Sequence, residues 1–295
     1  MSTRNAFVHN PFEQDITPAV YAWVAEQRAA GFGLDQLLKS LIDAGWGEAV
    51  ARHLLAMPAV ALAESAQVVE PDNLPFSLPV PWPEYAGERL ALDAGDRQVN
   101  AITVLRDPPL LVLEGLLSRE ECQALMDAAA PRMSRSLTVD VKTGGEETNQ
   151  ARTSEGMFFE RGESELISRI EARIGELLGW PVQNGEGLQV LRYGPGAEYK
   201  PHYDYFDPAE PGTASILQRG GQRVATLVMY LNEPEAGGST VFPDLTLAVV
   251  PKCGNAVFFS YSQPNPMSRT LHGGAPVVSG DKWIATKWLR EREFI

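Results

Sequence analysis

Two histidines and one aspartate carry the chemical interest of this 295-residue chain. His202 and Asp204 stand two apart in Tyr199-Lys200-Pro201-His202-Tyr203-Asp204, so in an extended segment their side chains leave the same face and converge. His272 follows about seventy residues later in Leu271-His272-Gly273, a separation that suits two strands meeting across a barrel. Two imidazoles and a carboxylate can occupy one face of an octahedral Fe(II) ion and leave the opposite face for a cosubstrate and O₂. His-x-Asp alone is a common pattern. Lys282 adds to it, because a lysine within the apolar and aromatic run Lys282-Trp283-Ile284-Ala285-Thr286-Lys287-Trp288-Leu289 is costly to bury without an anion. A dicarboxylate cosubstrate would be that anion; an edge-exposed or internally paired lysine is the competing reading.

Strands must position these groups. Gln189, Leu191 and Tyr193 share one face of a strand, and Lys282, Thr286 and Trp288 alternate onto one face of another. Further strands are expected near residues 110–112, 188–193, 223–232, 239–242, 246–250, 255–260 and 281–290. Ser118-Arg119-Glu120-Glu121 is a capping box opening a helix to about Ala130, and a second amphipathic helix spans about 164–178 before Gly179. Strand patterning by itself says only β-rich with flanking helices.

The segments Leu188-Gln189-Val190-Leu191-Arg192-Tyr193-Gly194-Pro195-Gly196, Tyr199 to Phe206, Ala225 to Asn232 and Gly280 to Trp288 together resemble the prolyl 4-hydroxylase family of Fe(II)/2-oxoglutarate dioxygenases, over roughly residues 105 to 292. The resemblance implies an α+β, β-rich fold: a double-stranded β-helix (jelly-roll) core with bracing helices. It implies iron on His202, Asp204 and His272, and 2-oxoglutarate with its far carboxylate on Lys282, Tyr193 and Thr226. It also implies O₂ as cosubstrate and ascorbate as reductant. On the substrate side, Glu186, Tyr199, Trp288 and Arg223 or nearby Arg219 look like the family's residues, and Arg152-Thr153-Ser154 resembles a motif near its cleft. The implied reaction is hydroxylation of prolyl residues in a peptide or protein, coupled to decarboxylation of 2-oxoglutarate to succinate and CO₂. Two alternatives stay open: a hydroxylase of a free amino acid or small molecule, and a 2-oxoglutarate or O₂ sensor with little turnover.

Residues 17–57 read as three short helices, with Thr17-Pro18 opening the first and Leu34, Leu37, Leu38, Leu41 and Ile42 giving helical periodicity. This unit loosely resembles ubiquitin-associated-type modules; a partner-binding module and a helical extension of the core are both compatible with it. Pro71, Pro75, Pro79, Pro81 and Pro83 make a stiff connector. The expected division is 1–65 helical domain, 66–104 Pro-rich linker and lead-in, and 105–295 dioxygenase domain. Segments 141–150 and 208–221, polar and without apolar rhythm, are expected to be loops that close over peptide.

Formal net charge is −13, which disfavours a nucleic-acid substrate, and no apolar run is long enough to span a bilayer. With no secretory signal pattern at the start, a soluble cytoplasmic protein is expected. Cys122 and Cys253, the two cysteines, do not make a disulfide framework, and Cys122 reads as a buried small hydrophobe.

Overall fold

The computed structural model describes residues 18–57 and 78–295, apart from 45, 47, 85, 136–137, 140–145, 148–152 and 209. The proline run as far as Pro75, Arg152 and most of segment 141–150 lie outside the described residues. The chain divides into two compact units, 1–75 and 76–295.

The first unit holds the three expected helices, α1 (Pro18–Ala29), α2 (Leu34–Asp43) and α3 (Glu48–Ala56). Helices this short need tertiary packing to persist. They obtain it by burying Val20, Trp23 and Val24 of α1 with Leu37 and Leu41 of α2 and Leu54 of α3. Arg28 also donates to the carbonyl of Met57 at 2.6 Å, joining the end of α1 to the residue after α3.

In the second unit the strands run β1 (Ala91–Asp93), β2 (Gln98–Arg106), β3 (Pro109–Glu114), β4 (Ser134–Arg135), β5 (Thr138–Val139), β6 (Glu146–Glu147), β7 (Glu155–Phe159), β8 (Leu188–Tyr193), β9 (Tyr199–His202), β10 (Arg223–Tyr230), β11 (Ala236–Gly237), β12 (Thr240–Phe242), β13 (Leu247–Val249), β14 (Ala256–Ser260), β15 (His272–Gly274), β16 (Val277–Ser279) and β17 (Lys282–Arg290). The large sheet has the order β1-β2-β3-β14-β10-β17-β8-β7-β4, and the small one β13-β12-β15-β9. From β8 to β17 the chain passes from one of these sheets to the other at each step between their strands, except for the β12–β13 hairpin. That winding is the double-stranded β-helix.

Two apolar layers result. Inside the sandwich, Val228, Tyr230, Phe259 and Ile284 of the large sheet meet Phe242 and Val249 of the small one. On the outer face, Leu227, Met229, Ala285 and Val190 are covered by α4 (Arg119–Ala129) and α5 (Glu165–Leu178), through Leu125, Ile167, Ile170 and Ile174. Because both faces are covered, β10 is buried from Val224 to Tyr230 and reads as a nearly unbroken apolar run. The capping box is formed: Ser118 Oγ accepts from Glu121 N at 3.1 Å, and Glu121 Oε2 accepts from Ser118 N at 2.9 Å.

Two expectations change. Within 66–104, expected as linker and lead-in, residues 91–104 hold β1 and most of β2, which extend the large sheet. β1 is only three residues long and the burial of β2 is irregular, so they carry little periodic signal. Segment 208–221, expected to lack structure, contains a short helix α6 (Thr213–Leu217). Among the described residues no helix is long and apolar enough to cross a membrane.

Candidate active site

Strands β9 and β15 lie side by side in the small sheet with His202 directly opposite His272. The approach is close: a Cβ on Gly273 would stand 2.8 Å from Tyr199 O and 3.0 Å from Pro201 N, so only glycine is accommodated there. The two imidazole centroids are consequently 4.4 Å apart. Asp204 faces both rings, Oδ1 lying 3.6 Å from His202 Nε2 and Oδ2 3.3 Å from His272 Nε2. The three ligand atoms all lie within 4.8 Å of one another.

The surroundings fix how these groups present themselves. His202 Nδ1 is 2.9 Å from Lys200 O and His272 Nδ1 is 2.9 Å from Thr270 O. A carbonyl only accepts, so each Nδ1 carries the proton and each Nε2 offers a lone pair. Burial, aided by neighbouring His272, pushes the His202 pKa down and favours the neutral ring. Burial opposes the charge on Asp204, but the two histidines outweigh it and hold the carboxyl well below its usual range. Two imidazoles with Nε2 turned inward and one carboxylate, converging from one side, fit the facial donor set of a ferrous ion.

The same cavity extends to Lys282, the first residue of β17, which pairs across the sheet with Tyr193 of β8. Lys282 is 2% exposed, its Nζ 5.5 Å from the Tyr193 ring centroid. Among the described residues it forms no ion pair. Burial alone pushes its pKa down to about 8. A cationic pocket without an internal counterion is suited to an anionic ligand.

Of the other expected residues, Tyr193, Tyr199 and Trp288 line the cavity. The Tyr199 ring stacks on His202 at 3.7 Å between centroids. Glu186, Arg223 and Thr226 do not line it. Arg223 grips Glu186 through two bonds of 2.7 and 2.9 Å, and Arg290 adds a third at 3.0 Å. Burial acts to raise the Glu186 pKa, but Arg223 and then Arg290 hold it below the usual carboxylate range. The Arg223 guanidinium in turn lies 4.1 Å from the Trp288 ring centroid. Glu186 therefore steadies Arg223, which backs the Trp288 wall of the cavity. Arg219 is engaged elsewhere, with Ile295 O at 3.1 Å and the Phe294 ring. Thr153 exchanges hydrogen bonds with the backbone of Glu198, just before β9.

Thr226 is a correction. Its hydroxyl donates to Asp204 Oδ2 at 2.7 Å and sits 3.0 Å from Tyr261 OH, so it orients a prospective metal ligand instead of reaching the lysine end. A threonine that does line the cavity is Thr240 of β12, whose hydroxyl accepts from Tyr230 OH at 2.8 Å and keeps its own proton to donate. The available signal was the inward alternation of Thr240 and Phe242 in a short strand after Gly237-Gly238.

Comparison with known proteins agrees with this geometry. The profile of the 2OG-Fe(II) oxygenase superfamily matches residues 188–290, the span that holds every group described above except Thr153 and Glu186 and the backing residues beyond Arg290. Prolyl 4-hydroxylase 5 of Arabidopsis thaliana is 42% identical over 221 residues, covering 68% of this chain and 74% of that protein. Prolyl 4-hydroxylase 1 of the same plant is 44% identical over 204 residues, covering 63% and 70%. Among solved structures, a viral collagen prolyl hydroxylase from Paramecium Bursaria Chlorella virus-1 is 35% identical, with 61% of this chain and 95% of that one covered and a TM-score of 0.48. With a ferrous donor set in place and relatives of this identity aligned across most of their length, the chain belongs to the prolyl 4-hydroxylase family of 2OG-Fe(II) oxygenases.

Proposed function

We propose that the protein hydroxylates prolyl residues of an extended peptide, using Fe(II), 2-oxoglutarate and O₂. One observation carries this reading: a single cavity has His202, Asp204 and His272 converging in one part and, in another, the buried Lys282, which has no ion pair among the described residues. Iron with 2-oxoglutarate and O₂ supplies the oxidising power to place one oxygen atom in a C–H bond, while the cosubstrate becomes succinate and CO₂.

The protein's own groups have distinct tasks. His202, Asp204 and His272 would hold the iron, with Thr226 fixing the Asp204 carboxylate and the carbonyls of Lys200 and Thr270 fixing the imidazoles. Lys282 would receive the far carboxylate of 2-oxoglutarate, with the Tyr193 and Thr240 hydroxyls as neutral donors. Tyr199 and Trp288 present aromatic faces for a proline ring, and a polyproline II segment displays such rings with little ordering cost. Arg223, locked by Glu186, keeps Trp288 in place. Residues 105–295 act as the dioxygenase domain in this reading, aided by the added strands at 91–106. Ascorbate serves as reductant in a cytoplasmic setting, and residues 1–65 bind a protein partner.

The test is incubation of the full chain with Fe(II), 2-oxoglutarate, O₂ and proline-rich peptides. The expected result is a one-oxygen mass gain on proline, matched mole for mole by succinate and abolished in His272→Ala. Turnover of free amino acids with peptides refused would move the assignment to a small-molecule hydroxylase. Tight 2-oxoglutarate binding with no succinate from any substrate would leave a sensor.

A further inference from the structure

Cys122 and Cys253 are far apart in sequence and take no part in the site above, yet the fold brings them together. Cys122 on α4 is fully buried, its Sγ 3.8 Å from Tyr230 O. Cys253, in the turn before β14, is partly exposed, its Sγ 3.3 Å from Leu231 O. The thiols thus stand at successive carbonyls at the end of β10, near enough for Cys253 to bear on the ionisation of Cys122. The turn is held flush against the start of α4. Leu117 N donates to Gly254 O at 3.0 Å, Gly254 N donates to Tyr230 O at 2.9 Å, and a Cβ at Gly254 would lie 2.3 Å from Leu117 O.

We propose that Cys122 and Cys253 form an oxidisable dithiol that closes to an internal disulfide when hydrogen peroxide reaches Cys253. The partly exposed Cys253 reacts first. Its thiolate sulfur attacks one peroxide oxygen, the O–O bond breaks, and the departing hydroxide takes a proton to become water, leaving a sulfenic acid. The Cys122 sulfur then attacks that sulfur, the S–O bond breaks, and the Cys122 proton leaves with the hydroxyl as a second water. Two thiols lose two electrons and two protons, and one peroxide becomes two waters. Burial, reinforced by the adjacent Cys253, pushes the Cys122 pKa up to about 12, so the inner thiol is not the one that meets peroxide first; its place beside Cys253 makes it the resolving partner. The bridge would fasten α4 to the turn ahead of β14, behind the large sheet.

The experiment uses the full chain treated with hydrogen peroxide, denatured, alkylated with N-ethylmaleimide and digested for mass spectrometry. Both cysteines are expected to become protected together, to be recovered together by dithiothreitol, and to appear as one cross-linked peptide pair. Cys122→Ala should instead leave Cys253 as a sulfenic acid captured by dimedone, and Cys253→Ser should leave Cys122 fully alkylated. Full alkylation of both cysteines after peroxide, or over-oxidation of Cys253 with Cys122 still free, would overturn the proposal.

Discussion

Lys282 and Lys287 belong to the same strand and are each 2% exposed, yet their charges are met in opposite ways. Five residues apart, they leave β17 on opposite faces. Lys287 points to the helical side, where Nζ donates to Glu171 Oε1 of α5 at 2.5 Å and to the carbonyl of Glu186. Burial lowers its pKa and Glu171 partly restores it. Lys282 faces the cavity, where burial acts without a compensating carboxylate. A buried cation that carries its own anion holds the fold together. One that lacks it leaves a place that an anion from outside can fill.

Breaking each lysine should separate these roles. Lys282→Ala should weaken 2-oxoglutarate binding by about 2–5 kcal/mol, roughly 30- to 4000-fold, as for truncation of one member of a buried charge pair. Anaerobic equilibrium titration reads this, and the variant should be at least as resistant to urea as the parent. Unchanged affinity would end the receptor reading. Lys287→Met should do the reverse, lowering unfolding free energy by about 3–5 kcal/mol because Glu171 is left charged and buried. Adding Glu171→Leu should recover most of that loss, with 2-oxoglutarate affinity unchanged throughout.

Smaller effects sharpen the contrast. Thr226→Val should reduce Fe(II) affinity by about 10- to 100-fold, the range for removing a hydrogen bond to a metal ligand. Once iron is saturating, 2-oxoglutarate affinity should match the parent; a selective loss of 2-oxoglutarate affinity would return Thr226 to the carboxylate end. The pH dependence is smallest. Below about 8 the empty pocket already holds charged Lys282, so affinity is flat; above it the lysine is neutral and binding must take up a proton. The dissociation constant should therefore rise about tenfold per pH unit beyond that point, and by about tenfold at pH 9. Lys282→Ala should lose that slope, whereas Lys287→Met should retain it.

The metal end of the site was legible because its signal is local. His202-x-Asp204 projects to one side in any extended segment, and the two helices flanking the sheet announced themselves through Ser118-x-x-Glu121 and the stop at Gly179. Lys282 was legible as an energetic anomaly in an apolar strand. The resemblance set Thr226 at the carboxylate end, and the pattern of β10, buried from Val224 to Tyr230, could not show how far along the cavity it lay. Val228, the next residue on that face, lines the cavity, whereas Thr226 is taken up by Asp204 and Tyr261. Thr240 depends on a crossing from the large sheet to the small one, a relation that no window of sequence contains. Glu186 and Arg223 were offered as substrate residues by the family resemblance; their mutual grip is a pairing between segments distant in sequence that only the fold reveals.

The brevity of the strands that carry the histidines has its own consequence. β9 and β15 are four and three residues long, with an irregular register between their two pairs, whereas β10 and β17 run for eight and nine residues in the middle of the large sheet. Amide hydrogens in the short pair should thus exchange through local openings well below the free energy of global unfolding. An ion bound across His202 and His272 closes that route by mass action, adding about 2.7 kcal/mol of protection at a hundredfold excess over its dissociation constant. Exchange at Tyr199, Lys200, His202 and residues 272–274 should then slow by about a hundredfold while the amides of β10 and β17 keep their rates. The iron, in this sense, is the missing length of the small sheet.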